Sequence, residues 1–382
     1  MRLVAVITGT RAEYGLWKPV LERIEASPRL EGALVVTGMH LSPAFGMTVR
    51  EIETDGFPIA ARVDMLLQGD SMAAMGKSAG IGLYGLSQEL ERLQPEAVLI
   101  LGDRLEAFAG AAAGLFSGAV VGHLHGGEVT EGGLDEYMRH AITKLSHLHF
   151  AATPKSRERI LRLGEHPDCV FVTGTPGLDA LMQYPALSRV DLSERLGMNV
   201  PETFLLIVQH PVSTHPETTG AEMNETLAAC RATGLPAFLV YPNADAGHRG
   251  IIQAIQDQKE SGWLTSFVTL RRPLFCNLLR QAKVLVGNSS SGMIDAPAYG
   301  TPVINIGERQ KDRERGENVI DAPPERNAIA GALQKALHDE DFREQCRSTK
   351  NPYGDGHASE RIVEILETAD WDKARKCKRL PY

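Results

Sequence analysis

Short apolar runs alternate with longer stretches whose apolar residues recur at helical spacing along the first half of the chain. The runs are bounded by glycine, proline or polar residues, which is typical of buried parallel strands joined by helical crossovers. The predicted strands are residues 3–7, 33–36, 97–101, 120–124, 149–151 and 170–172. The stretches between them predict helices, notably over residues 17–26 and 106–116. We therefore predict a doubly wound α/β sheet for this half.

A polar, proline-containing stretch at residues 184–201 interrupts the pattern, and a second series of apolar runs follows it. These runs are residues 204–208, 237–240, 266–269, 284–286 and 302–306. A chain of 382 residues also exceeds the roughly 250–300 residues at which single cores stop growing. We predict two Rossmann-like domains, residues 1–180 and 181–355, followed by a helical tail, residues 356–382. The first domain is one of the surfaces against which this tail could pack. Functional residues are expected at the strand ends, in the cleft between the domains.

Composition argues against several classes of protein. No apolar run approaches the roughly 20 residues that span a bilayer, so we expect a cytoplasmic protein without a membrane partner. The five cysteines are scattered without a Cys-x-x-Cys pair, which favours reduced thiols over disulfides or a zinc knuckle. A net charge of −8 without a basic stripe argues against a nucleic-acid partner. An anionic ligand must therefore be bound by local donors.

Two strand ends of the first half carry charged groups. Arg11 lies in the segment of residues 9–15, which follows the first strand and opens a helix where free backbone amides favour an anion. Its guanidinium suits a phosphate or carboxylate, the alternative being a surface salt bridge. The segment lacks the glycine spacing of a dinucleotide site and the lysine of a P-loop, so neither a nicotinamide cofactor nor ATP is expected. Asp103 follows a later strand, either as a helix cap or as a cleft carboxylate.

The densest cluster of titratable groups follows the strand at residues 120–124. It comprises His123, His125 and Glu128 around a glycine pair, and then Asp135 and Arg139. Asp135 and Arg139 lie four apart on a predicted helix, where a simple salt bridge is the alternative to a role in chemistry. Two histidines and an acid suit a metal, but a third ligand at zincin spacing is missing. We expect acid–base chemistry without a metal.

Strand ends of the second half carry further polar groups. His210 follows one strand, and Asn243 and Asp245 follow the next with groups suited to base and ribose recognition. The turn of residues 287–292 contains three consecutive serines between a strand and a helix start. Hydroxyls and free amides there form a cradle for a diphosphate, and a polar capping turn is the alternative. Asp295 and Arg309 follow, suited to a ribose hydroxyl and to the ligand's phosphates.

Taken in order, these motifs resemble the hydrolysing UDP-N-acetylglucosamine 2-epimerases of bacterial sialic and legionaminic acid biosynthesis. The resemblance is carried by residues 9–15, 102–104, 123–128, 139–144, 287–292 and 307–311, and it runs over nearly the whole chain. It implies a GT-B architecture, an active site between two Rossmann-like domains, and neither a metal nor a cofactor. His125 stands where part of the family carries glutamate.

The resemblance also implies roles for individual residues. Those implied in chemistry at the sugar are Asp103, Glu128, Asp135, His125 and Arg139, with His210 donating to the leaving group. Those implied at the nucleotide and diphosphate are Arg11, His210, Asn243, Asp245, Ser289, Ser290, Gly292, Asp295 and Arg309. The division of proton transfers among the carboxylates stays open. We also expect domain closure to bring the two sets together.

The implied reaction converts UDP-N-acetylglucosamine, or its 2,4-diacetamido-2,4,6-trideoxy analogue, to UDP and the free manno-configured sugar through a glycal. Rival functions are a non-hydrolysing 2-epimerase, a GT-B glycosyltransferase and a non-catalytic nucleotide-sugar sensor. The clustered carboxylates and histidines of the first half favour catalysis over sensing. The sugar substituents and the base, uridine or guanosine, stay open, and the relatives imply a homo-oligomer, either a dimer or a tetramer.

Overall fold

Two parallel sheets, one in each half of the chain, form the framework of the protein, whose computed structural model describes residues 1–130, 134–258 and 261–378. The strands of the first sheet are β1 (Arg2–Thr8), β2 (Leu30–Thr37), β3 (Ile59–Val63), β4 (Ala97–Leu101), β5 (Val120–Leu124), β6 (Leu148–Ala151) and β7 (Val170–Val172). Those of the second sheet are β8 (Leu205–Val208), β9 (Ala237–Val240), β10 (Leu264–Phe267), β11 (Val284–Gly287), β12 (Val303–Ile306) and β13 (Val319–Ala322).

The same strand order recurs in both sheets. Within the described residues, the first sheet runs β3-β2-β1-β4-β5-β6-β7 and the second β10-β9-β8-β11-β12-β13, with every pairing parallel. The order reverses between β1 and β4 and again between β8 and β11. Loops diverge at such switch points and leave a crevice beyond the carboxyl ends of the strands, which is where ligands of open α/β sheets bind.

Helices cover the sheets. They are α1 (Arg11–Ala26), α2 (Val49–Asp55), α3 (Met72–Leu93), α4 (Leu105–Phe116), α5 (Leu134–Leu145), α6 (Pro154–Arg162), α7 (Pro176–Gln183), α8 (Arg189–Leu196), α9 (Thr219–Arg231), α10 (His248–Gln256), α11 (Arg272–Gln281), α12 (Ser291–Ile294), α13 (Arg326–His338), α14 (Glu340–Ser348), α15 (Ala358–Thr368) and α16 (Trp371–Lys376). In the described part of the chain, no helix is long and apolar enough to cross a membrane.

The sequence pattern located most strands but missed several elements. β3 and β13 were not predicted, because their partly exposed residues do not form an uninterrupted apolar run. Helix α8 lies inside the polar stretch of residues 184–201, for which no helix or strand was predicted. Helix α1 begins at Arg11 rather than at Trp17, because Thr10 and Glu13 form a capping box at its start.

The C-terminal helices return to the first sheet. Ile362 and Leu366 of α15 and Trp371 of α16 are buried in the same core as the residues of β1 and α1. The guanidinium of Arg2 lies 4.5 Å from the centre of the Trp371 ring. The end of the chain is thereby attached to its first strand.

Gly287 allows the end of β11 to approach the end of β8 closely. Its φ is +136°, and an added Cβ would lie 2.0 Å from the carbonyl oxygen of Val208. We expect Gly287→Ala to lower the free energy of unfolding by about 2 kcal/mol or more, because the methyl group has no space and the backbone is unfavourable for alanine. Urea unfolding checks this value. Gly331→Ala is the control, since its Cβ meets nothing within 4 Å in α13. Equal effects of the two substitutions would contradict this account of the β8–β11 junction.

Candidate active site

A cleft opens between the carboxyl ends of the two sheets, and residues from both halves of the chain line it. The site residues that line it are Arg11, Asp103, His125, Glu128, His210, Asn243, Ser289, Ser290, Asp295 and Arg309. They follow β1, β4 and β5 on one wall and β8, β9, β11 and β12 on the other. Most predicted site residues are therefore brought together. Asp135, Arg139, Asp245 and Gly292 do not line the cleft, and the first three contact it through partners described below.

The serine turn is fixed to the neighbouring loops by Asn288. Its side-chain oxygen accepts a hydrogen bond from the His210 amide at 2.7 Å, and its Nδ2 donates to the His210 carbonyl at 2.9 Å. The Asn288 carbonyl accepts from Arg309 Nη1 at 3.2 Å and from Gln310 Nε2 at 3.0 Å. One buried amide thus ties together the loops after β8, β11 and β12, and it holds Ser289 and Ser290 toward the cleft.

Arg11 lies at the start of α1 as a cation to which the described part of the chain offers no ion-pair partner. Among the described residues it forms no hydrogen bond or ion pair, and burial followed by the nearby Arg272 lowers its pKa to about 10 despite the opposing effect of Glu51. Two of the backbone amides in this segment are occupied, because the Glu13 carboxylate accepts from Gly9 N at 2.8 Å and from Thr10 N at 3.3 Å. The Arg11 guanidinium, unlike these two amides, can therefore bind an anion.

His210 is a neutral donor at the end of β8. Burial lowers its pKa to about 3, and the positive charge of Arg309 acts in the same direction. Its Nδ1 accepts a hydrogen bond from the Asn243 amide at 3.2 Å. In a neutral imidazole the proton must then be on Nε2, which can donate to a ligand in the cleft.

Asp295 is held by a cation that the sequence analysis missed. Arg272 Nη2 donates to Asp295 Oδ1 at 2.8 Å, and both side chains are buried. The preceding Gly292 contributes no side chain to the cleft, and its backbone packs against β12, where an added Cβ would lie 2.8 Å from Val303. Gly292 therefore permits close packing of α12, and Asp295 presents a charged acceptor beside the serines.

The buried Arg139 and the half-buried Asp103 form an ion pair on the opposite wall. Arg139 donates through Nε to Asp103 Oδ2 at 3.0 Å and also binds the Glu136 carboxylate and the Thr130 hydroxyl. Burial acts to raise the pKa of Asp103, but the pairing with Arg139 outweighs it and holds the pKa below its usual range. The helical pair of Arg139 with Asp135 that the spacing suggested does not form, because Arg139 is engaged by Asp103 and Glu136 instead.

His125 and Glu128 are positioned by a chain of hydrogen bonds. His125 has a positive φ of 63°, and its Nδ1 lies 2.5 Å from Glu128 Oε1. Its Nε2 lies 2.9 Å from the Thr175 hydroxyl. Burial lowers the pKa of His125 to about 3, so both nitrogens of the neutral ring are used, one as donor to Glu128 and the other as acceptor. Arg313 pairs with the other Glu128 oxygen from across the cleft.

Asp135 and Arg309 form a second pair that crosses the cleft. Arg309 Nη2 lies 2.9 Å from Asp135 Oδ2, and the Ser213 hydroxyl accepts from the preceding Leu134 amide at 3.2 Å. Burial and then the charge of Asp103 raise the pKa of Asp135 to about 6, although Arg309 opposes both effects. Asp103 and Asp135 are thus two carboxylates whose pKa values are shifted in opposite directions, an arrangement suited to distinct roles in acid–base chemistry.

His123 and Asp245 have structural partners rather than free positions in the cleft. His123 Nε2 lies 2.7 Å from the Gly102 carbonyl oxygen. Asp245 forms a two-point ion pair with Arg104 of the opposite wall, with both N–O distances at 2.9 Å. The two walls of the cleft are therefore already linked, through Asp135, Glu128 and Arg104, without a ligand.

The sequence analysis missed Asn288, Arg272 and Arg313. Arg313 lies in the loop after β12, which is rich in lysine and arginine, but Arg309 was the only residue of this loop predicted to lie in the site. Arg272 begins a helix that carries no recognisable motif. The predicted carboxylates were the available signal that such arginines exist, because a buried carboxylate needs a cation nearby.

The sequence matches the family model described as UDP-N-acetylglucosamine 2-epimerase over residues 22–367. It is 38% identical to a protein of Legionella pneumophila named UDP-N,N'-diacetylbacillosamine 2-epimerase (hydrolyzing), covering 96% of each chain. It is 35% identical to the GDP/UDP-N,N'-diacetylbacillosamine 2-epimerase (hydrolyzing) of Campylobacter jejuni, covering 90% of this chain and 89% of that protein. The fold is similar to the UDP-GlcNAc 2-epimerase structure from Neisseria meningitidis bound to UDP-GlcNAc, with a TM-score of 0.80, 22% identity, and coverage of 97% and 100%. The predicted two-domain, GT-B-like α/β fold is confirmed.

The environment of Asp135 gives a direct test of the site's electrostatics. We expect its carboxyl group to titrate near pH 6, and Arg309→Gln to move the pKa upward, because the substitution removes the cation that favours the ionised form. Titration by carbon-13 NMR of aspartate-labelled protein checks this, with Asp135→Asn for assignment. Arg315→Gln is the matched control, since Arg315 pairs with the distant Asp321. A pKa near 4 for Asp135, or no shift in Arg309→Gln, would contradict the described geometry.

Proposed function

The chain belongs to the UDP-N-acetylglucosamine 2-epimerase family, and we propose that it is a hydrolysing 2-epimerase. Its substrate is UDP-N-acetylglucosamine or the 2,4-diacetamido-2,4,6-trideoxy analogue, and its products are UDP and the free manno-configured sugar. The observation that carries this proposal is the division of the cleft. Asp103, Glu128 and Asp135 cluster toward one wall, and the serine turn with Arg309 lies on the other.

The first step is an elimination. A carboxylate removes the proton from C2 of the sugar while the bond between C1 and the diphosphate oxygen breaks, so that a C1–C2 double bond forms and UDP leaves. In the second step, water adds its oxygen to C1, and C2 receives a proton on the opposite face. These steps require two acid–base groups with different proton affinities and strong stabilisation of the departing diphosphate.

Asp135 is the carboxylate that we propose changes protonation state, because its raised pKa lies close to neutral pH. Glu128 is the second proton-transfer group, and His125 positions it rather than exchanging protons with the sugar, since both of its ring nitrogens are engaged. Asp103 stays ionised against Arg139, and its negative charge keeps the pKa of Asp135 high. Arg139 also fixes the backbone of Glu128 by donating to its carbonyl at 2.8 Å.

The opposite wall stabilises the leaving group. We propose that Arg11, which has no ion-pair partner among the described residues, and Arg309 bind the diphosphate together with Ser289 and Ser290. His210 Nε2–H donates to it as the bond to C1 breaks. Binding would require Arg309 to exchange Asp135 for a phosphate oxygen. That exchange releases the Asp135 carboxylate when a nucleotide sugar is present.

We propose that the nucleoside binds beyond the diphosphate. Asn243 and Asp295 line this part of the cleft, and we propose that they contact the base and the ribose hydroxyls, respectively. Arg272 orients Asp295 as an acceptor through their ion pair. Asp245 contributes indirectly, by pairing with Arg104, and Gly292 contributes by allowing α12 to pack closely against β12. The domain boundaries, the cytoplasmic location and the homo-oligomer remain predictions.

The reaction itself is tested in deuterated water. Incubation of the enzyme with each of the two UDP-sugars, followed by NMR, should give free UDP and a manno-configured sugar carrying deuterium at C2, because the C2 proton is exchanged with solvent. The measurement needs no acceptor. Protium retained at C2, a product still attached to UDP, or turnover that depends on an added acceptor would each rule out a hydrolysing 2-epimerase.

The division of labour is tested by substitution. Asp103→Asn and Asp135→Asn should lower kcat by about 100-fold or more, the effect of losing an acid–base group or its partner. Asp135→Asn should bind UDP at least as tightly as the wild type, because it removes the competitor for Arg309.

Ser290→Ala should instead weaken UDP binding by about tenfold, because a hydrogen bond to a charged group contributes roughly 1.5–3 kcal/mol. Calorimetry with UDP measures these affinities. A similar loss of UDP affinity in all three variants would mean that the roles of the two walls are assigned wrongly.

A further inference from the structure

Three metal-ligating side chains converge far from the cleft. The ligand atoms of His166, Cys169 and Cys377 all lie within 4.8 Å of one another. Among the described residues, this is the group of three or more histidine, cysteine or acidic side chains that is compact enough to bind a metal ion. His166 and Cys169 directly precede β7, at the amino end of the first sheet. The cleft lies beyond the carboxyl ends of the same parallel strands. The cluster is therefore separate from the proposed active site.

The first two ligands are presented by one short turn. His166 caps the 3₁₀ turn Pro167–Cys169, and its Nδ1 accepts a hydrogen bond from the Asp168 amide at 3.3 Å. Because Nε2 of the neutral ring then carries the proton, metal binding by either nitrogen of His166 replaces this hydrogen bond. The spacing His-x-x-Cys is in the range that chelating turns use for a tetrahedral metal. A search for Cys-x-x-Cys does not detect this arrangement, because one of the two ligands is an imidazole.

The third ligand is brought by the C-terminal tail. Cys377 follows α16, which is held by contacts that do not involve the thiol. Lys373 Nζ donates to Asp168 at 2.8 Å, and Lys378 pairs with Glu165. The α16 residue Trp371 is buried in the core of the first sheet. These contacts hold Cys377 beside the turn before a metal binds, and the hydrogen bond of His166 is the contact that binding must replace.

We propose that His166, Cys169 and Cys377 bind a structural divalent metal of the zinc class, with a solvent molecule as the fourth ligand. Two thiolates and one imidazole form a ligand set suited to zinc. Binding forms two metal–sulfur bonds and one metal–nitrogen bond, and the two thiol protons go to solvent without any change of oxidation state. A disulfide between Cys169 and Cys377 would need an oxidant and would leave the converging imidazole without a role.

Coordination of a metal at this site would cross-link the C-terminal tail to the first sheet. The metal joins the turn before β7 to the end of α16, next to the contact of Lys378 with the Thr143 carbonyl at 3.1 Å. Thr143 belongs to α5, which also carries Asp135 and Arg139. Because metal binding free energy adds to folding free energy, the bound metal should stabilise the chain while leaving ligand binding in the cleft unchanged.

Cobalt(II) tests the proposal, because its absorption reports thiolate ligands and tetrahedral geometry. Full-length protein is reduced, stripped of metal with a chelator and titrated with cobalt(II) under anaerobic conditions. We expect saturation at one equivalent, with sulfur-to-cobalt charge-transfer bands and tetrahedral d–d bands, and a higher Tm with zinc. Cys377→Ser should weaken the charge-transfer band and the cobalt affinity, the latter by about tenfold or more, and His166→Ala should weaken the affinity.

Cys230→Ala is the matched control, since Cys230 is a buried thiol in the core of the second sheet and should leave the spectrum intact. UDP binding, measured in parallel, should be the same in all variants that fold. Absence of thiolate charge-transfer bands, an identical spectrum in Cys377→Ser, or a native mass lower by two hydrogen atoms, which indicates a disulfide, would each overturn the metal site.

Discussion

Pairing of buried or half-buried carboxylates with arginines is the constraint on which the cleft depends. The pairs are Asp103–Arg139, Glu128–Arg313, Asp135–Arg309, Asp245–Arg104 and Asp295–Arg272. A buried charge without a partner is destabilising, and removal of one partner from such a pair costs about 3–5 kcal/mol. Three of the pairs join residues from opposite halves of the chain, so the same charges that serve chemistry also hold the two sheets against each other. Arg11 has no such partner among the described residues.

This pairing explains how one cleft serves both parts of the proposed reaction. In the proposed mode of binding, a diphosphate brings negative charge to Arg11 and competes with Asp135 for Arg309. The carboxylate released in this way has a raised pKa because Asp103, which is fixed by Arg139, lies nearby. Nucleotide binding and availability of the base are then linked through a single arginine. His210 and the serines add neutral donors, so that UDP can leave as the bond to C1 breaks.

The fold and the cleft followed from local sequence, whereas the ion pairs did not. Uninterrupted apolar runs such as β4 are visible because every residue of that strand is buried. The strand-end positions of Asp103 and Ser290 followed from the same pattern. The partner of Asp135 could not be predicted from helical spacing, because Arg139 is drawn to Asp103 and the partner is Arg309, far away in sequence. Likewise, the sequence pattern does not reveal that the Glu13 carboxylate occupies the amides of Gly9 and Thr10 before α1.

The most direct test of this account is a crystal structure of the protein with UDP bound. The account predicts that Arg309 leaves Asp135 and binds the diphosphate together with Arg11 and the serine turn, while Asp103 remains paired with Arg139. The freed Asp135 carboxylate should face the space where C2 of the sugar would lie. A complex in which UDP occupies the cleft and the Arg309–Asp135 pair stays intact, or in which the diphosphate lies away from the serine turn, would contradict it.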